Sequence, residues 1–241
     1  MTREVEKMNV IFDVDDTLYN LMDSFRKAHE ELYADQTDVP CEELFQISRK
    51  YNDEAFRMWC KGLIDKTEEF HYRIQKTYEQ VGLDLSQEDT TLFKKRYRYH
   101  QGHISLFEGM EDMLDHLKNH GVNLAILTNG NHDDQYKKTM VLEATRWMPE
   151  DHIFISEDLP AAKPDVRAFR AVEDALKIKP EDTWYIGDTF ESDILGACQA
   201  GWHCIWFNHR RRTVPQGMEV KPDYQVTSMA ELREVIDKNI L

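Results

Sequence analysis

Three aspartates, Asp13, Asp15 and Asp16, stand at the end of the apolar run Val10-Ile11-Phe12 with only Val14 among them. A short run of β-branched and aromatic residues reads as a buried strand, and carboxylates crowded at its end repel one another and lose hydration. A fold keeps them there when a cation or a reaction compensates, so the strand is expected to lie inside a sheet whose end carries a site. The same Asp-x-Asp-x-Thr spacing opens a calcium loop. Here, however, Leu18 holds the position that needs glycine and Ser24 the one that needs a bidentate glutamate, so that reading is set aside.

Short β-rich runs recur at Asn9 to Asp13, Asn123 to Thr128, His152 to Ser156, Thr183 to Ile186, His203 to Phe207 and Tyr224 to Val226. Helical patterns alternate with them at Gly109 to Asn119, Asp165 to Leu176, Asp193 to Ala200 and Met229 to Ile236. That alternation predicts an α/β protein with a Rossmann-like, doubly wound parallel sheet. The stretch from Asn20 to His103 breaks it, showing helical spacing such as Leu21, Phe25, Leu32 and Phe70, Ile74, Tyr78 and no strand. The predicted organisation is a core of residues 1–19 and 104–241 with an inserted α-helical domain, residues 20–103; 241 residues suffice for both.

With 30 Lys+Arg against 45 Asp+Glu, net charge −15, the surface repels nucleic-acid polymers and anionic membranes. A small anionic ligand would need a local lysine, a helix N-terminus or a metal. Cys41, Cys60, Cys198 and Cys204 lack metal or redox spacing and read as reduced thiols. Residues 2–7 lack the apolar core of a secretory signal and no apolar run is long enough to span a membrane; a cytoplasmic location is expected. The basic and aromatic stretch Lys94 to His100 and the triplet Arg210-Arg211-Arg212 read as solvated charge. His100 and His103 have no third soft ligand near in sequence, so zinc is not expected.

Three further strand ends carry reactive groups. Thr128-Asn129-Gly130 offers a hydroxyl, an amide and a flexible turn, suited to an oxyanion or simply to closing a strand. Lys163 precedes Pro164 and Asp165 at a helix start, either solvated beside a cap or set to offset the carboxylates. Gly187-Asp188 is followed five residues later by Asp193, an N-cap or part of an oxygen ligand set of the kind Mg²⁺ prefers. In a doubly wound sheet such strand ends converge at the switch point.

Taken in order, Asp13-x-Asp15-x-Thr17, Thr128, Lys163 and Gly187-Asp188 with Asp193 resemble the four motifs of the haloacid dehalogenase-like hydrolase superfamily, across nearly the whole chain. The helical insertion resembles that family's α-helical cap, which would close over the substrate. The resemblance implies that Asp13 attacks phosphorus to form an aspartyl-phosphate. Mg²⁺ would be held by Asp13, the main-chain carbonyl of Asp15 and Asp188, with Asp193 orienting the metal shell. Thr128, Asn129 and Lys163 would hold the phosphoryl oxygens. Asp15 would act as general acid and then base, its pKa expected to be raised by burial and neighbouring carboxylates. An aspartate at this second position fits the phosphate-handling branch of the family, not the dehalogenases. The expected activity is therefore a phosphomonoesterase for a small phosphorylated metabolite of the nucleoside monophosphate or sugar phosphate type. A phosphomutase and a non-catalytic interaction protein on the same scaffold are the alternatives. Two departures stand out: Asp16 replaces the glycine of many relatives, and Leu159 to Ala162 lacks the glycine often found before the lysine.

Overall fold

The computed structural model describes residues 7–241, apart from the side chains of Cys60 and Lys66. The segment read as lacking a secretory signal thus lies, up to Glu6, outside the described residues. The chain forms two compact units, one comprising the chain up to Asn20 together with Ser105–Leu241, the other Leu21–Ile104.

In chain order the strands are β1 (Asn9–Phe12), β2 (Asn123–Thr128), β3 (Ile153–Ile155), β4 (Thr183–Gly187), β5 (His203–Phe207) and β6 (Tyr224–Val226). The helices are α1 (Met22–Tyr33), α2 (Cys41–Cys60), α3 (Lys66–Glu79), α4 (Gln87–Gln101), α5 (Met110–Asn119), α6 (His132–Val141), α7 (Val166–Leu176), α8 (Leu195–Ala200) and α9 (Met229–Asn239).

The six strands make one parallel sheet in the order β3-β2-β1-β4-β5-β6, the doubly wound arrangement expected from the alternation. The chain winds outward from β1 to β3 and then crosses to β4, which places the switch point between β1 and β4. Successive strand residues face opposite sides, and here both sides are buried. Ile11, Ala125, Leu127 and Tyr185 pack with Phe169 and Val172 of α7 and Ala197 of α8. Their neighbours Val10, Phe12, Leu124 and Ile126 are equally inaccessible. Helices α5 and α9, linked by His116 Nε2 and Asp237 at 3.0 Å, add buried Met113, Leu114, Leu117, Leu232 and Ile236. Double burial explains why β1, β2, β4 and β5 read as continuous apolar runs, each large side chain contributing about 1.5–3 kcal/mol.

The unit Leu21–Ile104 contains α1 to α4 and, among the described residues, no strand. Asp65 and Ser86 start α3 and α4 with capping boxes closed by Glu68 and Asp89. The inward faces meet in an aromatic cluster, with ring centroids 5.4 Å apart for Phe25 and Phe93 and 5.0 Å for Tyr33 and Tyr78. The apolar spacing at Phe70, Ile74 and Tyr78 is the buried stripe of α3.

Cys41, Cys198 and Cys204 are unbridged thiols. No helix among the described residues is long and apolar enough to cross a membrane.

Candidate active site

The register of the parallel sheet decides which side chains meet. Phe12 pairs with both Ile126 and Ile186, and Asp13 N continues the ladder by donating to Ile186 O at 2.9 Å. Asp13 therefore sits beside Gly187, with Thr128 ending β2 on one side and Asp188 following β4 on the other. All these strands run the same way, so Asp13, Thr128, Asp188 and Asp193 gather at one sheet edge, each 6% exposed or less.

Lys163 joins them from the loop before α7. Its Nζ donates to Asp13 Oδ1 at 2.8 Å, Asp193 Oδ1 at 2.7 Å and the Tyr185 hydroxyl at 2.6 Å, which uses all three ammonium protons. The Tyr185 hydroxyl in turn donates to Leu127 O at 2.7 Å. The Lys163 main chain is clamped by Asn129, whose Oδ1 accepts from Lys163 N at 2.9 Å and whose Nδ2 donates to Lys163 O at 2.8 Å. Both ends of the Asn129 amide thus help to place the lysine, with one of the two Nδ2 protons and the main-chain N–H not engaged in that clamp. Burial works against the Lys163 ammonium, but Asp13 and Asp193 outweigh it and lift its pKa well above the ordinary lysine value.

Asp193 was expected at a helix start. Instead, Phe190–Ile194 forms a single π-helical turn and α8 begins only at Leu195. Its carboxylate accepts from Thr189 N at 2.9 Å as well as from Lys163, so it is not the cap of α8. The turn brings Asp193 over Gly187 so closely that a Cβ there would lie 2.5 Å from Asp193 Oδ2, a close approach only glycine admits.

Asp13, Asp188 and Asp193 each place a carboxylate oxygen within 4.8 Å of the others. Ligand oxygens around a six-coordinate Mg²⁺ lie roughly 3–4 Å apart, so the donor set suits a hard divalent ion. Asp13 keeps Oδ2 without a hydrogen-bond partner among the described residues. Burial pushes the Asp13 carboxyl up to about 6, with Lys163 opposing and Asp193 and Asp15 adding to it. Burial likewise pushes Asp188 well above the usual carboxylate range, with Asp16 adding and Arg212 opposing. The local cations leave this acidic cluster under-compensated, the condition in which a metal is held.

Asp15 departs from expectation. Burial would raise its pKa, but Lys138 Nζ lies 2.7 Å from both Asp15 oxygens, and hydrogen bonds from Tyr19 and from Gln135 Nε2, at 3.1 Å for the latter, add to that pull. The carboxyl is held down at about 2 instead of being raised. Lys138 and Gln135 escaped the sequence reading because α6 has no apolar stripe. In the structure Gln135, Lys138 and Thr139, at i, i+3 and i+4, form a buried polar stripe that the spacing of polar residues alone does not distinguish from a solvated face.

Two members of the arginine triplet depart from the solvated reading, while Arg211 between them is exposed. Arg210 grips Asp16 with Nε to Oδ2 at 2.6 Å and Nη2 to Oδ1 at 2.7 Å, and Nη2 also donates to Asn20 Oδ1 at 2.8 Å. Arg212 Nη1 donates to Asp188 Oδ2 at 2.8 Å. Asp16 is 1% exposed and has φ 61°, a left-handed conformation that glycine adopts freely and aspartate tolerates better than most residues. Arg210 and Arg212 offset the charge that Asp16 adds at this turn.

Comparison with known proteins shows the family and the fold. The family profile described as haloacid dehalogenase-like hydrolase matches residues 8–201. The chain is 28% identical to N-acylneuraminate-9-phosphatase of Rattus norvegicus over 92% of its own length and 91% of that protein's. It is 26% identical to the pyrimidine 5'-nucleotidase YjjG of Escherichia coli over 95% of this chain and 98% of that one. The solved structure of the HAD-hydrolase YfnB from Bacillus subtilis bound to magnesium matches with a TM-score of 0.73 at 25% identity, covering 96% of this chain and 99% of that one.

Proposed function

The chain belongs to the haloacid dehalogenase-like hydrolases, and from that premise we propose that it is a Mg²⁺-dependent phosphomonoesterase working through an aspartyl-phosphate. The observation that carries the reading is Asp13. It is a buried carboxylate with one oxygen fixed by Lys163 and the other open, beside Asp188 in a metal-sized cluster and two residues from a second carboxylate on its own cation.

In this reading Asp13 attacks phosphorus and the bond from phosphorus to the ester oxygen breaks. Asp15 delivers a proton to the departing alcohol. Water then attacks the phosphorus of the aspartyl-phosphate while Asp15 takes its proton, releasing inorganic phosphate and restoring Asp13. Thr128, the main-chain N–H of Asn129 and the Lys163 ammonium hold the phosphoryl oxygens. Asp13, Asp188 and the Asp15 carbonyl would hold the Mg²⁺, with Asp193 steadying that shell; the ion supplies neutralisation of phosphoryl charge. A phosphate dianion brought beside Asp15 raises the carboxyl that Lys138 holds down, which makes a proton available when the leaving group needs one.

The helical unit is assigned as the family's cap. The named activities of the two phosphate-handling relatives support sugar phosphates and nucleoside monophosphates as the substrate classes to test first. The test is phosphate release from a panel of both classes with and without Mg²⁺, for wild type and Asp13→Asn. We expect metal-dependent release by wild type and a loss on the order of 10³-fold or more in the variant. Equal release by the two proteins removes Asp13 as the nucleophile.

A further inference from the structure

We propose that Arg212 is a built-in rival of the divalent ion for Asp188, a positioning residue that lowers the metal affinity of the resting site. The inference rests on the proposed metal role of Asp188 and adds to it a group outside the four motifs.

Four observations carry it. First, Arg212 Nη1 donates to Asp188 Oδ2 at 2.8 Å, and Nη2 lies 3.4 Å from Asp16 Oδ2. Second, the residue is delivered there by a fixed turn. Buried Asn208, directly after β5, accepts from Arg212 N at 2.7 Å with Oδ1 and donates from Nδ2 to Arg212 O at 2.8 Å. Third, the cations are divided among the carboxylates. Lys163 bridges Asp13 and Asp193, Lys138 takes Asp15 and Arg210 takes Asp16. Asp188 has Arg212 alone as its ion-pair partner among the described residues. Fourth, the two members of that pair differ in what they can do without. The Asp188 side chain is 7% exposed and needs a cation, whereas the Arg212 side chain is 35% exposed and can turn to water.

A guanidinium at hydrogen-bond distance from a metal ligand opposes the incoming ion twice. It occupies a lone pair of the carboxylate, and it places a like charge within a few ångströms of the ion, where solvent screens incompletely. Asp188 in this way carries a partial counter-charge in the metal-free site, and the ion binds by exchanging with it.

Isothermal titration of the substrate-free protein with Mg²⁺ alone tests this, comparing wild type, Arg212→Met, Arg212→Lys and Asp188→Asn. The expected result is binding on the order of tenfold tighter in Arg212→Met, an intermediate gain in Arg212→Lys, whose ammonium is shorter and lacks the planar fork, and loss of binding in Asp188→Asn. Thermal melts in chelator should place metal-free Arg212→Met below wild type, with the difference closing as Mg²⁺ is added. Unchanged or weaker Mg²⁺ binding in Arg212→Met, with Asp188→Asn still losing it, overturns the rivalry and leaves the metal assignment standing. Equal binding by wild type and Asp188→Asn removes the metal assignment and the rivalry with it. Should Arg212→Met fail to fold, Arg212→Lys carries the same comparison, and no gain in its affinity overturns the proposal.

Discussion

At the scale of single residues, the two aspartates at the end of β1 have opposite electrostatic fates. Asp13 is pushed up to about 6 and Asp15 held down at about 2, although one residue separates them. The difference lies in their lysines: Lys163 is shared between Asp13 and Asp193, while Lys138 serves Asp15 with both contacts. For Asp13 the sign is clear. The folded, metal-free chain binds a proton there up to about 6, whereas the unfolded chain releases it near 3.8, so stability falls across that interval as pH rises. Asp13→Asn is therefore expected to raise the melting temperature of the metal-free protein at neutral pH, by a margin that vanishes as the pH is lowered through 6 toward about 4. Melts in chelator across that range check it, and a lower melting temperature for the variant at neutral pH would mean that its bond to Lys163 outweighs desolvation. Asp15 makes a chemical prediction. Asp15→Asn should slow hydrolysis of alkyl phosphates, whose leaving groups need a proton, far more than that of p-nitrophenyl phosphate; equal losses on both esters exclude the acid role.

At the scale of elements, two glycines fix the approach of neighbouring segments with different consequences. A Cβ at Gly196 of α8 would meet Phe169 Cε2 at 2.5 Å and the Pro164 main chain at 3.0 Å, whereas one at Gly187 would meet Asp193. Gly196→Ala should destabilise the fold by about 1–3 kcal/mol in urea melts with turnover by the folded fraction retained. Gly187→Ala should instead dislodge Asp193 from Lys163 and lower turnover at saturating Mg²⁺. Reversal of that division would show that the π turn is not what places Asp193. The contrast also shows which parts of the site could be read in the chain. Asp13, Lys163, Gly187 and Asp188 were legible because each lies at or just beyond a strand end or just before a helix, where local pattern and the winding of the sheet point. Lys138, Arg210 and Arg212 were not, because a charged residue on a polar helix or after a strand has the same local signature whether it faces water or a carboxylate. What separates the two cases is a partner far away in sequence, such as Asp16 for Arg210. The π turn before α8 was hidden for a related reason, since Asp193 is held there by Lys163, thirty positions away in sequence.

At the scale of the whole molecule, the net charge of −15 is matched by an acidic centre at the end of the sheet. Five carboxylates, Asp13, Asp15, Asp16, Asp188 and Asp193, meet four basic side chains there, so the centre's own side chains do little to draw in a dianion. A doubly charged phosphate ester should then be repelled at a distance. Its kcat/KM is expected to rise as salt is raised from about 0.01 to 0.15 M while kcat stays level; a fall over that range would show that local cations govern encounter. The pairing of Asp16 with Arg210 reaches further still, for it joins the first strand to a turn 194 positions later. A polypeptide emerging from the ribosome presents its acidic loop long before the matching arginine is made, so the earliest part of the centre waits, mutually repelling, for nearly the last part to be translated. Nascent chains halted short of Arg210 should for that reason be sensitive to proteolysis near Asp13, and those extended past Arg212 resistant.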